Sequence, residues 1–324
     1  MKERAIRNEM KSRAAVDALR FGVVNPFAAE KITCGRRKEL RNLEGTIKAS
    51  PDGSVQNVIG GYGAGKSHLC ELLSARLEKK GYAVAKVEMG ASHGRAENPD
   101  SFLGNVSRNI RAWVDGEPCV SEAELVAHLY QDREHRPQLF GSVPSAMTAA
   151  NLTVSRLNHA AHSLASIGIK GIVVILDEAE RSNFAWNAYR QQRAWDLMVG
   201  LSLAAVNGDT SNLKHYHNNL WHTYCPITPS KIHVVNCFTF PWGIANAISG
   251  ETGCQTLELD QLNEGVLEKV AAKVIRLYQC AYGSSNELNG ALWKKIWERF
   301  DDEIRGFIRC VVAALDNQRL VGNG

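Results

Sequence analysis

The most constraining feature of this sequence is a glycine-rich turn that separates a short apolar run from a segment with helical spacing. The turn, Gly60 to Ser67, has the spacing G-x-x-x-x-G-K-[ST]. Val55–Ile59 predicts a strand before it, and regularly spaced leucines predict a helix after it. Strand, glycine loop and helix is an arrangement that binds phosphate, because glycines let backbone N–H groups turn inward and the helix adds the positive end of its dipole.

This loop predicts a site for ATP and Mg²⁺. Lys66 is expected to reach the β- and γ-phosphates, and the Ser67 hydroxyl is expected to bind Mg²⁺. The residues predicted to bind the nucleotide are Gly60, Gly61, Tyr62, Gly63, Ala64, Gly65, Lys66, Ser67 and His68. The alternative is a glycine-rich turn that contains Lys-Ser but binds no ligand.

A second segment supplies the acids that such a site needs. Residues 171–176 form a continuous apolar run followed by Asp177 and Glu178, which predicts a buried parallel strand with acids at its carboxyl end. Ligands of open α/β sheets bind beyond that edge. Asp177 is expected to hold Mg²⁺ through water, and Glu178 to polarise the water that attacks the γ-phosphate. The pair favours a Mg-dependent ATPase; the alternative is a strand that ends in solvated acids.

Composition narrows the class of protein further. The chain has 324 residues, of which 44% are hydrophobic and 22% charged, close to the average of globular proteins. No apolar run approaches the roughly 20 residues of a membrane helix, and no hydrophobic stretch follows the charged N-terminus. The eight cysteines include no CxxC pair and predict reduced thiols. We therefore expect a cytoplasmic protein with no membrane partner.

The formal net charge of +4 is unevenly distributed. Residues 1–114 carry +8 and the remainder −4. The basic part fits either a polyanion, such as nucleic acid or nucleotide, or a solvated helix surface. Charge alone does not decide between them.

The remaining periodicity predicts an α/β fold. Strands are expected at 82–88 and 231–240, and helices at 2–20, 105–113, 154–166, 182–207, 262–282, 287–300 and 303–315. Strands that alternate with helices predict a mostly parallel sheet flanked by helices, here followed by a C-terminal helical lid. We predict an N-terminal helical arm with the adenine-side segment (1–50), a P-loop ATPase core (51–245) and a helical lid domain (246–324).

With both motifs placed, the chain resembles P-loop ATPases of the ASCE division, closest to the AAA+ and initiator-like group. More specifically it resembles the ATP-binding proteins of BREX phage-defence systems, the BrxD-like family. The segments that carry the resemblance are 18–25, 35–40, 60–68, 176–181, 262–283 and 304–308. The resemblance implies a role in antiviral defence, other defence-system proteins as partners, a homo-oligomer, and action on or beside DNA.

The resemblance also implies further site residues. Arg305 matches the lid arginine that contacts the γ-phosphate in such ATPases, where a guanidinium stabilises charge. Thr239, or else Asn236, matches the polar sensor at the end of the third strand. The simpler alternatives are a solvated helix arginine and an ordinary strand-end hydroxyl.

Two further groups are implied with less specific patterns. Apolar residues that flank the adenine are Val23, Val24 and Phe27, which fit equally an apolar hinge packed on the core. Candidates for an arginine finger that serves a neighbouring subunit are Arg181, Arg190 and Arg193. The alternative for each arginine is a solvated helix surface.

A histidine-rich segment lies between the predicted helix at 182–207 and the strand at 231–240. Its zinc-capable residues are His215, His217, His222 and Cys225, whose spacing is not a recurrent zinc motif. The alternatives are a polar loop, or a surface whose aromatic residues stack on single-stranded nucleic acid or dock a partner.

Three functions share this core. The first is an ATP-hydrolysing switch or motor subunit of a multi-protein anti-phage defence system. The second is a scaffold that is locked by ATP without turnover and binds protein partners. The third is a DNA-binding ATPase that regulates transposition.

Overall fold

A computed structural model describes residues 2–23, 25–90, 96–129, 149–184, 188–207, 229–240, 243–283, 295–296, 298–299 and 304–321. The helices are α1 (Lys2–Arg20), α2 (Pro26–Ile32), α3 (Arg37–Ala49), α4 (Lys66–Glu78), α5 (Pro99–Asn109), α6 (Glu122–Leu129), α7 (Ala149–Ala165), α8 (Ala188–Ala205), α9 (Gly243–Thr252), α10 (Glu264–Tyr282) and α11 (Ile304–Val321), with a 3₁₀ helix at Ala179–Phe184. The strands are β1 (Gly53–Ile59), β2 (Ala83–Glu88), β3 (Ile110–Val114), β4 (Glu117–Cys119), β5 (Ile172–Asp177), β6 (Ile232–Phe238) and β7 (Thr256–Glu258).

The chain divides into two compact units. The first comprises Met1–Leu40, Gly60–Leu72 and Leu259–Gly324, and the second comprises Arg41–Ile59 and Leu73–Glu258. The three-part domain division that we expect from the sequence stays a prediction.

The second unit is built on one seven-stranded sheet in the order β4-β3-β2-β5-β6-β1-β7. Five neighbouring strands, β2, β5, β6, β1 and β7, are parallel to one another. Strand β3 is antiparallel to β2, and β4 is antiparallel to β3. Every residue of β5 and β6 is buried, as expected for central parallel strands covered on both faces. Residues of α5, α7 and α8 share one apolar core with the sheet. The predicted fold class is confirmed, with a mostly parallel sheet, flanking helices and a C-terminal helix.

The helix predicted at 105–113 is wrong over its last four residues. Helix α5 ends at Asn109, and β3 begins at Ile110 with alternating burial. β3 pairs with β2 through Ala85 and Val84, and its hairpin partner is β4. Asp115 and Gly116 form the two-residue turn, both with positive φ (53° and 85°). An Asp-Gly pair is the typical sequence of such a turn, so the signal was present in the sequence.

The long helix predicted at 182–207 begins later than expected. A 3₁₀ helix follows β5, and α8 begins only at Ala188. The predicted helix at 287–300 lies largely outside the described residues, whereas the last helix extends beyond its predicted end to Val321.

The first unit has its own apolar core. Residues of α1, α2, α10 and α11 form it, with Tyr278 and Phe307 fully buried at its centre. Helix α10 begins at the N-cap Asn263, whose side chain accepts the Val266 N–H, and ends at Gly283 in a left-handed conformation. The arm helix therefore belongs to the same packed unit as the two C-terminal helices.

Candidate functional site

The glycine loop follows Ile59, the last residue of β1, and leads into α4 at Lys66. Gly63 and Gly65 have positive φ (76° and 87°), a conformation in which a side chain would be strained. A Cβ at Gly60 would lie 2.9 Å from the Leu259 Cβ, so this position has no room for a side chain. The loop therefore needs glycine for two different reasons, backbone conformation and close packing.

Lys66 is only 8% exposed although it carries a charge. Its Nζ donates to the carbonyl oxygens of Gly60 at 2.5 Å and Gly61 at 3.0 Å. The ammonium also lies 5.9 Å from the ring centre of Tyr62, whose own side chain is exposed. The loop thus holds a concentrated positive charge beside its backbone, which fits an anionic ligand such as phosphate.

The two residues after Lys66 have different surroundings. Ser67 is half-buried in the first turn of α4. His68 contacts α2, because its Nε2 lies 2.5 Å from the Thr33 Oγ1. The Thr33 carbonyl in turn accepts a hydrogen bond from Lys273 on α10 at 2.7 Å. The predicted nucleotide residue His68 is therefore part of a network that joins α4, α2 and α10.

The acids of the second unit lie at the end of β5. Asp177 is 3% exposed, and its Oδ2 lies 3.5 Å from the Lys86 Nζ of the neighbouring strand β2. Its Oδ1 accepts the Glu178 N–H at 3.1 Å. Because β1, β6 and β5 are parallel neighbours, the carboxyl end of β5 is at the same edge of the sheet as the carboxyl end of β1.

Glu178 is held in an unusual environment. Its φ is 56°, in the left-handed region that residues other than glycine rarely adopt. Its Oε2 lies 2.6 Å from the Arg181 Nε. Burial raises the pKa of Glu178, an effect that Arg181 opposes and that the acids Glu88, Asp177 and Glu180 reinforce. A carboxylate whose pKa is raised above its ordinary value is a stronger base, as general-base chemistry requires.

The sensor candidates lie on β6 and directly after it. Thr239 is 4% exposed, its hydroxyl donates to Glu180, and its N–H donates to the same carboxylate at 3.2 Å. Asn236 is fully buried and donates to the Asn57 side chain at 3.1 Å within the sheet. The Thr239 hydroxyl is therefore oriented by Glu180, a partner that sequence reasoning missed although it stands two residues after Glu178.

Arg305 is exposed on α11 and packs against the turn between α1 and α2. A Cβ at Gly22 would lie 3.1 Å from the Arg305 Cγ and Cδ and 3.2 Å from the Arg309 Cδ. Gly22 has a φ of 70°. A side chain at this turn would therefore displace the two arginines.

The arginine-finger candidates lie near the end of β5 and on α8, and the described adenine-side candidates lie in the first unit. Arg181 pairs with Glu178 of its own chain, whereas Arg190 and Arg193 lie on α8. Phe27 packs against the core of the first unit, and Val23 is exposed. The candidates outside the described residues are Val24, His215, His217, His222 and Cys225.

The described residues lack two features, a cluster of metal ligands and a helix that could cross a membrane. No group of three His, Cys, Asp or Glu side chains in this part of the chain is placed to hold a metal ion. Within the same residues, none of the helices combines the length and the apolar character that crossing a membrane requires.

Comparison with known proteins identifies the segment around the glycine loop. Residues 7–99 match the family described as BREX system ATP-binding protein BrxC/D. Over these residues the chain is similar to BrxC/D ATP-binding proteins. The predicted resemblance is thereby confirmed, and the glycine loop lies inside the matched segment. No curated protein matches the sequence.

Solved structures that match this chain include Orc1, Cdc6 and ORC proteins. A chain in the structure of Drosophila ORC bound to AT-rich DNA and Cdc6 matches with a TM-score of 0.50 and 12% identity, over 96% of this chain and 42% of that chain. Orc1 of Aeropyrum pernix, solved in complex with DNA, matches with a TM-score of 0.48 and 14% identity, over 89% of this chain and 61% of that chain. Cdc6p of Pyrobaculum aerophilum matches with a TM-score of 0.48 and 12% identity, over 92% of this chain and 67% of that chain. The Drosophila match supports the fold described above, a mostly parallel sheet flanked by helices, and this chain spans about three fifths of the Aeropyrum chain and two fifths of the Drosophila chain.

Proposed function

We propose that this protein binds and hydrolyses ATP as a AAA+-like switch subunit of a BREX-type phage-defence system. The observation that carries the proposal is the glycine loop, in which Gly63 and Gly65 are left-handed and the buried Lys66 donates to the carbonyls of Gly60 and Gly61. The match of residues 7–99 to a BREX ATP-binding family supports the same function. The broader conclusion, that this is a nucleotide-binding AAA+-like protein, rests on the glycine loop and the fold alone.

Each site residue has a proposed role. Lys66 and the backbone amides of the loop bind the phosphates, and Ser67 with Asp177 would hold Mg²⁺, which neutralises phosphate charge when bound. Glu178 accepts a proton from the attacking water. Thr239, oriented by Glu180, binds that water or the γ-phosphate. Arg305 stabilises the negative charge that develops on the γ-phosphate.

The experiment that tests these roles compares two variants of the full chain. We expect Lys66→Ala to weaken binding of a fluorescent ATP analogue by at least about 10-fold, because the ammonium supplies charge-assisted hydrogen bonds. We expect Glu178→Gln to keep nucleotide binding within about 2-fold and to lose about 100-fold or more of phosphate release, as general-base variants do. Glu117→Gln, an exposed carboxyl in β4, is the matched control. Equal loss of binding in both site variants would contradict the assignment.

A scaffold that is locked by ATP without turnover is the second candidate. The contact that favours it is the Glu178–Arg181 pair, since a guanidinium 2.6 Å from the carboxylate opposes its protonation. Phosphate release above the background of Glu178→Gln would reject this candidate. Nucleotide binding without such release, measured with and without DNA, would reject the hydrolytic switch.

We further propose that the protein acts in the cytoplasm with other defence-system proteins, as a homo-oligomer, on or beside DNA. Drosophila ORC was solved bound to DNA, and this supports the last point by fold analogy alone. A DNA-binding ATPase that regulates transposition shares this core. Gene neighbourhood separates the two, because methyltransferase, phosphatase-like and helicase genes would favour BREX and a transposase gene would favour transposition.

A further inference from the structure

Arg36 is a buried charged residue in the first unit, directly before α3. It is 5% exposed, and it follows Gly35, whose φ is 75°. A buried guanidinium is costly unless charged and polar partners compensate for its lost hydration. The sequence around it, Gly-Arg-Arg-Lys-Glu-Leu, carries part of the family resemblance, but the position has no role in the chemistry described above.

The guanidinium of Arg36 connects three segments of the first unit. Its Nη1 donates to the Glu39 Oε1 at 2.9 Å. Its Nη2 donates to the carbonyl oxygen of Ala64 in the glycine loop at 2.9 Å, and also to the carbonyl oxygen of Asp260. The Glu39 carboxylate balances the charge of the Arg36 guanidinium. The second terminal nitrogen of the guanidinium, Nη2, is then available to donate to backbone carbonyls.

The bond to Ala64 determines the orientation of one peptide group of the loop. In a trans peptide the carbonyl and the following N–H point in opposite directions. Because Arg36 holds the Ala64 oxygen, the Gly65 N–H points in the opposite direction within the peptide plane, away from Arg36. Ala64 is 3% exposed and stands between Gly63 and Gly65, the two left-handed glycines, where the backbone has most freedom to rotate.

The bond to Asp260 connects the loop with the segment that leads into α10. Asp260 lies three residues before the N-cap Asn263. A Cβ at Gly35 would lie 2.8 Å from the Val266 Cγ1, and one at Gly60 would lie 2.9 Å from the Leu259 Cβ. Gly35, next to Arg36, and Gly60, at the start of the loop, therefore both pack closely on residues 259–266.

We propose that Arg36 is a positioning residue. It orients the Gly65 amide toward the phosphate and couples occupancy of the glycine loop to the segment at residues 259–266. The proposal rests on the proposed function, in which this loop binds ATP. Arg36 itself contacts the Glu39 side chain and two backbone carbonyls, and it carries no step of the reaction.

The test compares Arg36→Lys with Arg37→Lys, an exposed arginine one residue later, in the full-length protein. Lysine keeps the charge but lacks the planar fork, so it cannot bind Glu39 and both carbonyls together. We expect Arg36→Lys to raise the Kd and the KM for ATP by about 10-fold or more, with kcat changed by less than about 3-fold. Arg37→Lys should leave the Kd, the KM and kcat within about 2-fold of wild type. An Arg36→Lys protein that binds ATP as tightly as wild type would overturn the proposal.

A second measurement uses the wild-type protein and stands even where Arg36→Lys fails to fold. Addition of ADP should slow amide hydrogen exchange both in the loop, residues 60–66, and in residues 259–266. Slower exchange in the loop alone would overturn the coupling. Failure of the proposed function is distinguishable, because wild-type protein would then bind no nucleotide and Lys66→Ala would change nothing.

Discussion

At the scale of single residues, Glu178 is the most constrained side chain of the candidate site. A left-handed conformation costs a residue other than glycine about 1–3 kcal/mol, and such strain persists where the surrounding structure enforces it. Here the constraint comes from the Asp177 carboxylate, which accepts the Glu178 N–H, and from Arg181 at 2.6 Å. Gly90 contributes space, because a Cβ there would lie 3.2 Å from the Arg181 Nη1. Strain of this kind concentrates at functional sites, which agrees with the proposed role of Glu178.

The first prediction concerns the pH dependence of ATP turnover. Burial raises the pKa of Glu178 and Arg181 opposes that rise, so Arg181→Gln should raise the pKa further. A general base works when deprotonated, and turnover therefore falls as pH drops through its pKa. The acidic limb of the plot of kcat against pH should move to higher pH in Arg181→Gln. Arg111→Gln, an exposed arginine on β3, serves as control, and an acidic limb that stays in place or moves down in Arg181→Gln would refute the prediction.

At the scale of elements, three helices of the first unit are joined by one carboxylate. Asp316 on α11 accepts hydrogen bonds from the Arg20 Nε at 2.8 Å and Nη2 at 3.0 Å, and from the Tyr278 hydroxyl at 2.8 Å. Burial alone would raise the pKa of Asp316, but the hydrogen bonds from Arg20 and Tyr278 together outweigh burial and lower it. Since its folded pKa is depressed, the stability that Asp316 contributes is present at neutral pH and is lost as pH falls through that pKa.

The second prediction is that Asp316→Ala destabilises the first unit by about 2–3 kcal/mol. Hydrogen bonds to charged groups contribute about 1.5–3 kcal/mol. The change leaves the fully buried Tyr278 hydroxyl without this acceptor and leaves Arg20 with Asp17 as its carboxylate partner. Glu9→Ala is the control, because the Glu9–Arg13 pair is about half exposed and such pairs contribute about 0–1 kcal/mol. Urea unfolding followed by circular dichroism measures both variants. Equal stability of the two would show that the network on Asp316 contributes no more than a surface ion pair.

At the scale of the whole molecule, the positive charge of residues 1–114 is partly taken up by ion pairs within the protein, and two of these pairs use acids outside the segment, Asp316 with Arg20 and Asp177 with Lys86. The basic side chains in this segment with acidic partners include Arg13, Arg20, Arg36, Arg76, Lys80 and Lys86. Lys66 is assigned to the nucleotide. The exposed cations that remain available to a polyanion include Arg7 and Lys11 of α1. Because some of the positive charge is already paired, we expect a small DNA-binding surface.

The third prediction is a shallow salt dependence of DNA binding. Six to ten phosphate contacts would give a slope of about −5 to −9 in a plot of log K against log salt, and we expect a slope shallower than about −4 here. Fluorescence anisotropy of a labelled duplex between 50 and 200 mM salt measures it. The double variant Arg7→Ser, Lys11→Ser should weaken binding on every DNA sequence alike. A slope as steep as that of a large interface would contradict this charge assignment.

Much of the fold could be predicted from the sequence, because its signals are local. Glycines at fixed spacing between an apolar run and regularly spaced leucines specify β1, the loop and α4. A continuous apolar run specifies β5, and alternation of strands with helices specifies a parallel sheet. The hairpin of β3 and β4 was missed, although Asp115-Gly116 marks its turn, because helical spacing from α5 runs into the first residues of β3.

What the sequence by itself determined is therefore the chemistry of the loop and the acids, since residue type and spacing alone carry it. Only the tertiary structure decided which groups surround them. It placed α1 in one core with α10 and α11, paired Glu178 with Arg181, bound Thr239 to Glu180, and brought Arg36 to the Ala64 carbonyl. Apart from Glu178–Arg181, these contacts join residues far apart in the chain. The backbone carbonyls that receive Arg36 carry no residue-specific signal, so no pattern in the sequence could have named them.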